Sequence, residues 1–519
     1  MSMKTKTNLL IQVSHIPMGC KMLLLYVIPS VNPYGIGRLL SHGIPSGCAF
    51  GKDKIKGQPH PMGMHRNLRN MSLLIVLLLF AAQTAFAQIE GYWKGQIDLG
   101  GQQLEMAFDI SSTENGYSAT LDVPAQGAHN IPVDETVFQD NRLQMTMSAM
   151  GASYFGELKE DIIEGEFSQR GMTFPLSLER GEKETQQARP QDPQPPFNYR
   201  IEEVQFTNVK EGNTLTGTLT TPEGDGPFPA LVLVSGSGQQ NRDEELMNHR
   251  PFWVIADYLS RRGVAVLRYD DRGVGGSTGE VKNATSMDFS YDAEAAFDYL
   301  LNRKGINASQ IGILGHSEGG IINFMVSARR PEVAFLISLA GPAVNGIEVL
   351  KAQQVAILRA SGMTEEVIQF SSNANAQMFN VIEASSSREE ADTLLRHLVK
   401  GWGYGEELTE QTVGELVSPW MYYFLKYDPT EAIVKTNCPA LLLNGSKDLQ
   451  VVASQNLPAY EKIIADYGKT NLTLHEMPDL NHLFQHCETG SPNEYFEIDE
   501  TISHEVLEMI VEFVKGIEK

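Results

Sequence analysis

The chain has 519 residues, enough for two or three domains with packed cores. Hydrophobic residues make up 42% and charged residues 20%, a balance that excludes disordered and fibrous classes. The formal net charge of -23 argues against a general affinity for nucleic acid or anionic membrane surfaces.

In chain order, the first clear signal begins at Arg66 and Arg69. They precede the apolar run Leu73–Ala82, and Ala85-Phe86-Ala87 follows it. A positive flank, a short apolar core and a small-residue cleavage site describe a secretory signal peptide. The run is short of the ~20 residues of a spanning helix. Residues 1–87 therefore read as leader and signal peptide, with the mature chain expected to start at Gln88 in a periplasmic or secreted protein. Residues 1–63 show no sustained pattern, so Met64 or Met71 is the expected initiator, with a genuine long leader as the alternative. Of the four cysteines only Cys438 and Cys487 lie beyond this segment, and their separation along a strand favours two free thiols.

Residues 88–182 alternate apolar and polar positions in short runs, such as Leu104–Ile110 and Leu143–Met147, divided by Gly, Asn, Asp and Pro turns. This pattern predicts a small β-barrel or sandwich, with Trp93 in its core. Residues 183–199 are polar and proline-rich and read as a linker. From residue 200 onward, apolar runs at Ala230–Val234, Val264–Arg268, Ile311–Leu314, Val333–Leu339, Ala440–Leu443 and Leu472–Leu474 alternate with helical stretches such as Met287–Leu301. Repeated βα units imply an α/β fold with a mostly parallel sheet covered on both faces. Leu215–Thr220 is expected as an antiparallel edge. Residues 344–432 are too long for a simple βα loop and carry helical patterns at Gly346–Ser361, Thr364–Ala384, Arg388–Lys400 and Thr409–Tyr427. They are expected to form a helical cap.

Gly315-His316-Ser317-Glu318-Gly319 follows one such strand and precedes the helical run Ile321–Val326. That strand–turn–helix context is what a nucleophile elbow requires, with the serine exposed at a helix N-terminus. A serine hydroxyl needs a base, and the base needs an orienting carboxylate. Asp448 and His482 each follow a strand, in the chain order Ser, acid, His. Asp479 and Asp428 are weaker acids, and His475, His486 and His504 are rival imidazoles without that placement. The backbone N–H of Glu318 is one expected oxyanion donor. The second is expected from the loop after the first parallel strand, at Ser237 with Gly238 as rival.

At these residues the chain resembles the α/β-hydrolase superfamily, most closely its two-domain bacterial carboxylesterases and serine-aminopeptidase-like members. Tyr269-Asp270-Asp271-Arg272-Gly273-Val274-Gly275-Gly276-Ser277 is similar to the superfamily's strand-end motif. Asn481-His482-Leu483-Phe484-Gln485 resembles the esterase His loop, and Ser418-Pro419-Trp420 through Tyr427-Asp428-Pro429 resembles the end of its cap. The likeness covers residues 200–519. It implies acyl transfer to water without a metal or organic cofactor. The His-Gly-Gly-Gly oxyanion loop of many lipases is missing, which leaves the second donor open.

The resulting expectation is an exported serine hydrolase that cleaves small carboxylic esters, with no nucleic-acid partner and no stable membrane insertion. A peptidase, amidase or thioesterase on the same residues is the alternative, and a non-catalytic exported binding protein ranks below these. His316, Trp420 and Phe424 are expected at the substrate pocket, with pocket wall and plain core packing equal readings for the two aromatics. Asp271 and Arg272 are expected as a buried ion pair bracing their loop.

Overall fold

The computed structural model describes residues 89–517, apart from 99–102, 114–115, 124–127, 148–150, 170–171 and 184–188. The signal peptide, Met64, Met71 and Gln88 lie outside the described residues. The chain divides into two compact units, one all-β and one α/β.

The first unit is built from β1 (Gly91–Asp98), β2 (Gln103–Thr113), β3 (Gly116–Val123), β4 (Ala128–Pro132), β5 (Glu135–Gln139), β6 (Arg142–Met147), β7 (Ala152–Lys159), β8 (Ile162–Gln169) and β9 (Met172–Arg180). The strand order β2-β1-β9-β8-β7-β6-β5-β3-β4, with β2 also paired to β3, closes a ring of eight strands and leaves β4 outside it. Closure removes the exposed edges that an open sheet would present. Alternation is visible along β7, where Ala152, Tyr154, Gly156 and Leu158 face inward and their neighbours are exposed. Trp93, Phe108, Tyr154 and Phe167 fill the interior, and the Trp93 indole N–H donates to Ile89 O at 2.8 Å. Tyr154 needs room, and two glycines supply it. A Cβ on Gly156 or on Gly165 would lie 2.6 Å from its hydroxyl.

The second unit begins at Arg189. Its guanidinium donates to the carbonyls of Met247, Phe496 and Ile498 at 2.7–3.0 Å. The Gln191 side chain accepts from the Thr501 and Ile502 amides and donates to Ile502 O, and buried Asp192 pairs with Arg250 at 2.8 Å. The stretch expected as a free linker is thus tied down from residue 189. Polar composition signalled chain without a core of its own, and these residues indeed bond through polar side chains to a surface made elsewhere.

The sheet follows. Its elements are β10 (Tyr199–Thr207), β11 (Thr214–Pro222), β12 (Phe228–Val234), α1 (Pro251–Ser260), β13 (Ala265–Tyr269), α2 (Ser286–Leu301), β14 (Ile306–His316), α3 (Glu318–Arg329) and β15 (Phe335–Leu339). Five helices then intervene: α4 (Gly346–Ala360), α5 (Glu365–Ala384), α6 (Arg388–Gly401), α7 (Glu406–Leu416) and α8 (Pro419–Lys426). The unit ends with α9 (Thr430–Lys435), β16 (Ala440–Gly445), α10 (Ala453–Tyr467), β17 (Leu472–Met477) and α11 (His504–Gly516). Sheet order is β10-β11-β13-β12-β14-β15-β16-β17, antiparallel at its first two pairings and parallel thereafter. Leu215–Thr220 therefore lies inside the sheet, and β10 is the edge. In β12, Ala230 and Val232 enter one apolar layer while Leu231 and Leu233 enter the opposite one. Burial on both faces is why these strands read as continuous apolar runs.

The parallel strands all end on the same side, so the loops after β12, β14, β15, β16 and β17 converge there. The chain leaves β12 toward β13 on one flank and returns to β14 on the other, which opens a crevice at the end of β12. The inserted helices pack on α3, with Met378, Phe379, Leu395, Met421 and Leu425 sharing one apolar cluster with Ile321 and Met325. The run expected as a single helix over Thr409–Tyr427 is two. Pro419 cannot continue α7 but suits the first turn of α8, whose N-cap Ser418 accepts from Met421 N.

The β13 end braces the crevice, though not as an Asp271–Arg272 ion pair. Asp271 accepts from Ser235 Oγ at 2.8 Å and Gln240 N at 2.9 Å, at the two ends of the loop after β12. Arg272 instead binds Asp292 and Glu211, both at 2.6 Å. The two residues open the turn closed by Val274 N to Asp271 O at 3.0 Å, and their side chains reach different partners. Burial pushes the Asp271 carboxyl up to about 8; the bonds from Gln240 and Ser235 oppose the rise, and Glu244 and Asp292 add to it.

Two outcomes follow from these contacts. A chain starting at Arg189 is expected to exceed one starting at Arg200 by at least ~2 kcal/mol in urea unfolding, from the lost charged hydrogen bonds. Equal midpoints would make the strap passive. For Asp271 the folded state holds a proton that the unfolded state has released above ~4, so its ionisation erodes stability as pH rises toward 8. Asp271→Asn, a mimic of the neutral acid, is expected to gain on wild type between pH 5 and ~9 in the same assay. A pH-independent difference would contradict this.

Candidate active site

Ser317 occupies the turn between β14 and α3 with φ 53 and ψ -118, a conformation that side chains rarely adopt. What permits the turn is backbone contact on both sides of it. A Cβ on Gly315 would lie 1.9 Å from Gly319 O, and a Cβ on Gly319 would lie 2.2 Å from Val234 O. The Ser317 amide donates to Leu339 O at 2.8 Å, which pins the turn to the end of β15.

Asp448 and His482 come from the loops after β16 and β17. His482 Nδ1 lies 2.8 Å from Asp448 Oδ2. The other Asp448 oxygen accepts from the amides of Gln450 at 2.8 Å and Val451 at 2.9 Å, and Asn444 Nδ2 adds a bond to Oδ2 at 3.2 Å. The carboxylate is fully buried and its orientation is fixed by these donors. The His482 loop is shaped by Asn481, whose Oδ1 accepts from Leu483 N and Gln485 N, both at 3.0 Å. Rival groups are occupied elsewhere. Asp479 pairs with Lys447 at the surface, His486 with Glu500 and Glu505, and His504 with Glu508 and Tyr258. His475 is exposed on β17, and Asp428 accepts from Thr430 N.

Ser317, Ser237, Glu318 and Phe424 line one narrow cleft, together with Pro342, Val349, Leu350, Gln353, Gln450 and Val451. Gln450 and Val451 are also the Asp448 donors, so the acid loop forms one wall. The loop after β12 approaches closely enough that a Cβ on Gly236 would lie 3.1 Å from Ser317 Cβ. The Gly236 amide is already taken by Glu244 Oε1 at 2.6 Å. Gly238 lines a separate small void beside Asp271 rather than this cleft.

The pocket expectations fare differently. Phe424 is cleft wall. Trp420 is not; it stacks on Phe424 with ring centroids 5.6 Å apart and donates its indole N–H to Glu318 Oε1 at 2.9 Å. The Glu318 carboxyl also accepts from Ser286 Oγ, and burial raises its pKa against the pull of both donors. His316 lies beneath the cleft. Its Nδ1 is 3.0 Å from Glu244 Oε1 and its Nε2 is 2.9 Å from the backbone carbonyl of His482. Glu244 had no signal in the sequence, because nothing there separates it from its acidic neighbours Asp243 and Glu245.

Residues 251–415 match the model of the serine aminopeptidase S33 family. Esterase EstD of Thermotoga maritima is 27% identical over 303 residues, which is 58% of this chain and 66% of that protein. Esterase FrsA of Klebsiella pneumoniae is 26% identical over 149 residues, 29% of this chain and 33% of that protein. Among solved structures, the α/β hydrolase GrgF from Penicillium aligns with 61% of this chain and 99% of its own at a TM-score of 0.40 and 18% identity. Taking the strand order, the turn at Ser317 and the sequence relatives together, the chain has the α/β-hydrolase fold and is similar to esterases.

Proposed function

We propose that the protein hydrolyses small carboxylic esters through an acyl-enzyme on Ser317. His482 takes the hydroxyl proton as Ser317 Oγ attacks the ester carbonyl, and Asp448 orients the imidazole and stabilises its cation. The tetrahedral oxyanion is held by the N–H groups of Glu318 and Ser237. His482 then returns the proton to the leaving alkoxide. Water, deprotonated by the same imidazole, releases the acid and restores Ser317. The observation that carries this reading is the 2.8 Å His482–Asp448 bond, made by an acid whose own loop walls the cleft of Ser317. The esterase relatives favour the same bond type. The helices inserted between β15 and β16 act as the cap, with Phe424 on the acyl side.

Labelling with a fluorophosphonate is expected to modify Ser317 in wild type and nothing in Ser317→Ala. Ser317→Ala, His482→Ala and the double variant should lose kcat to a similar degree, on the order of 10⁴–10⁶. Asp448→Asn should fold and still lose about 10⁴. Additive losses, or an active Asp448→Asn, would remove that residue from the set. An acyl ester series assayed beside aminoacyl amides decides between esterase and peptidase, and turnover confined to the amides would overturn the ester assignment.

The second part of the proposal is export, with cleavage after Ala87. Mass spectrometry of the extracytoplasmic protein should find Gln88 at its N-terminus, and a product retaining the apolar run at residues 73–82 would refute it.

A further inference from the structure

Below the cleft, two buried ionisable side chains join loops that are far apart in sequence. Glu244 and His316 are 72 positions apart, and both are nearly excluded from solvent. One Glu244 oxygen, Oε1, receives the Gly236 amide at 2.6 Å and faces His316 Nδ1 at 3.0 Å. The opposite ring nitrogen faces the His482 carbonyl at 2.9 Å, and the two histidine rings pack at 4.8 Å between centroids. A continuous chain therefore runs from the loop carrying Ser237, through carboxylate and imidazole, to the backbone of His482.

We infer that Glu244 and His316 form a buried carboxylate–imidazolium pair that positions the oxyanion loop and the His482 loop relative to Ser317. The inference rests on the catalytic reading above and deepens it. Both ring nitrogens face acceptors. A carbonyl cannot donate, so Nε2 carries a proton, and a Glu244 carboxylate accepts both the Gly236 N–H and a proton-bearing Nδ1 at Oε1, the state the inference assigns. Burial opposes the charge on His316, but the Glu244 carboxylate, its hydrogen bond, the His482 carbonyl and Asp448 together raise its pKa above the ordinary value. Holding the Gly236 amide on Glu244 leaves the next amide, Ser237, as the one to face the cleft. Neither Glu244 nor His316 lines that cleft, so they are positioning residues. Placement errors of about 1 Å cost on the order of 10² in rate, while ground-state binding in the cleft is left largely intact.

The test combines spectroscopy on the wild type with kinetics on two variants. In ¹⁵N-histidine-labelled protein at pH 7, His316, assigned by its loss in His316→Asn, should show both ring nitrogens protonated. In Glu244→Gln the same ring should become neutral. Glu244→Gln and His316→Asn should each lose about 10² in kcat with KM changed less than about threefold. The double variant should be no worse than either single, since the pair acts as a unit. A neutral His316 in wild type overturns the inference whatever the kinetics of the variants. So do folded variants with kcat within about twofold of wild type. Wild-type protein that resists fluorophosphonate would instead remove the catalytic reading and the pair's role with it, so the two failures are distinguishable.

Discussion

At the turn after β14, three stretches of backbone meet at van der Waals distance through glycines, with the Ser338 hydroxyl beside them. Gly315 and Gly319 face each other across the turn, Gly319 touches the end of β12, and a Cβ on Gly320 would lie 2.6 Å from Gly341 Cα. Any larger residue at these points would push the helix off the sheet. The contacts hold Ser317 in its positive-φ conformation and seat the first turn of α3 against the ends of β12 and β15. The cleft takes its shape from this contact. Ser317 lines the cleft, together with the loops after β12, β15 and β16 and residues of α4 and α8.

Around Ser317, the loops are fixed by side chains rather than by sheet hydrogen bonds. Asp271 clamps both ends of the β12 loop, Glu244 takes its Gly236 amide, and Asp448 gathers the amides of Gln450 and Val451. Each clamp is a carboxyl group accepting backbone N–H donors, which supplies direction where the ladder has ended. Two aromatic residues of the inserted helices are fixed by a side-chain donor to a carboxyl in a similar way. Trp420 bonds to Glu318 and stacks on Phe424, so the wall residue is supported by a residue bonded to the position next to Ser317.

Much of this was legible because the signals are local. Ser317, Asp448 and His482 each stand just beyond an apolar run, in an order that open α/β sheets bring to one edge, and the structure pairs His482 with Asp448. Fully buried strands announce themselves by unbroken hydrophobicity, as β16 does with every residue buried. The edge strand β10 does not, since only Tyr199, Val204 and Phe206 of its nine residues are buried, and its boundary was masked by the prolines before it. Arg272 was assigned the wrong partner because Asp292 is 20 positions away on a helix, while Asp271 is merely adjacent. Likewise His316 looked like a pocket residue from its place beside Ser317. Its ring direction is set by Glu244 and by the His482 carbonyl, contacts that no local pattern encodes.

The carboxyls under the site show how one chemical group serves different ends. Glu318 and Asp271 sit in apolar surroundings with neutral donors only, and burial raises the pKa of both. The direction of both shifts disfavours negative charge next to the Glu318 amide, the group the proposed mechanism uses as an oxyanion donor. Glu244 differs because an imidazole faces it at 3.0 Å, and in the inferred pair the proton on His316 balances the carboxylate. Asp448 alone couples to a ring that also serves the cleft. Four acidic groups thus share a small buried volume, where charges are poorly screened, and each has a different set of partners. Asp448 differs again, since its partner is the His482 ring at 2.8 Å, the imidazole that the proposed mechanism uses as base. A site with the same residues but a cationic partner for Glu318 in place of Trp420 would shift that balance, ionising the side chain next to the oxyanion donor. The aromatic N–H at this position therefore belongs to the electrostatics of the cleft as much as to its packing.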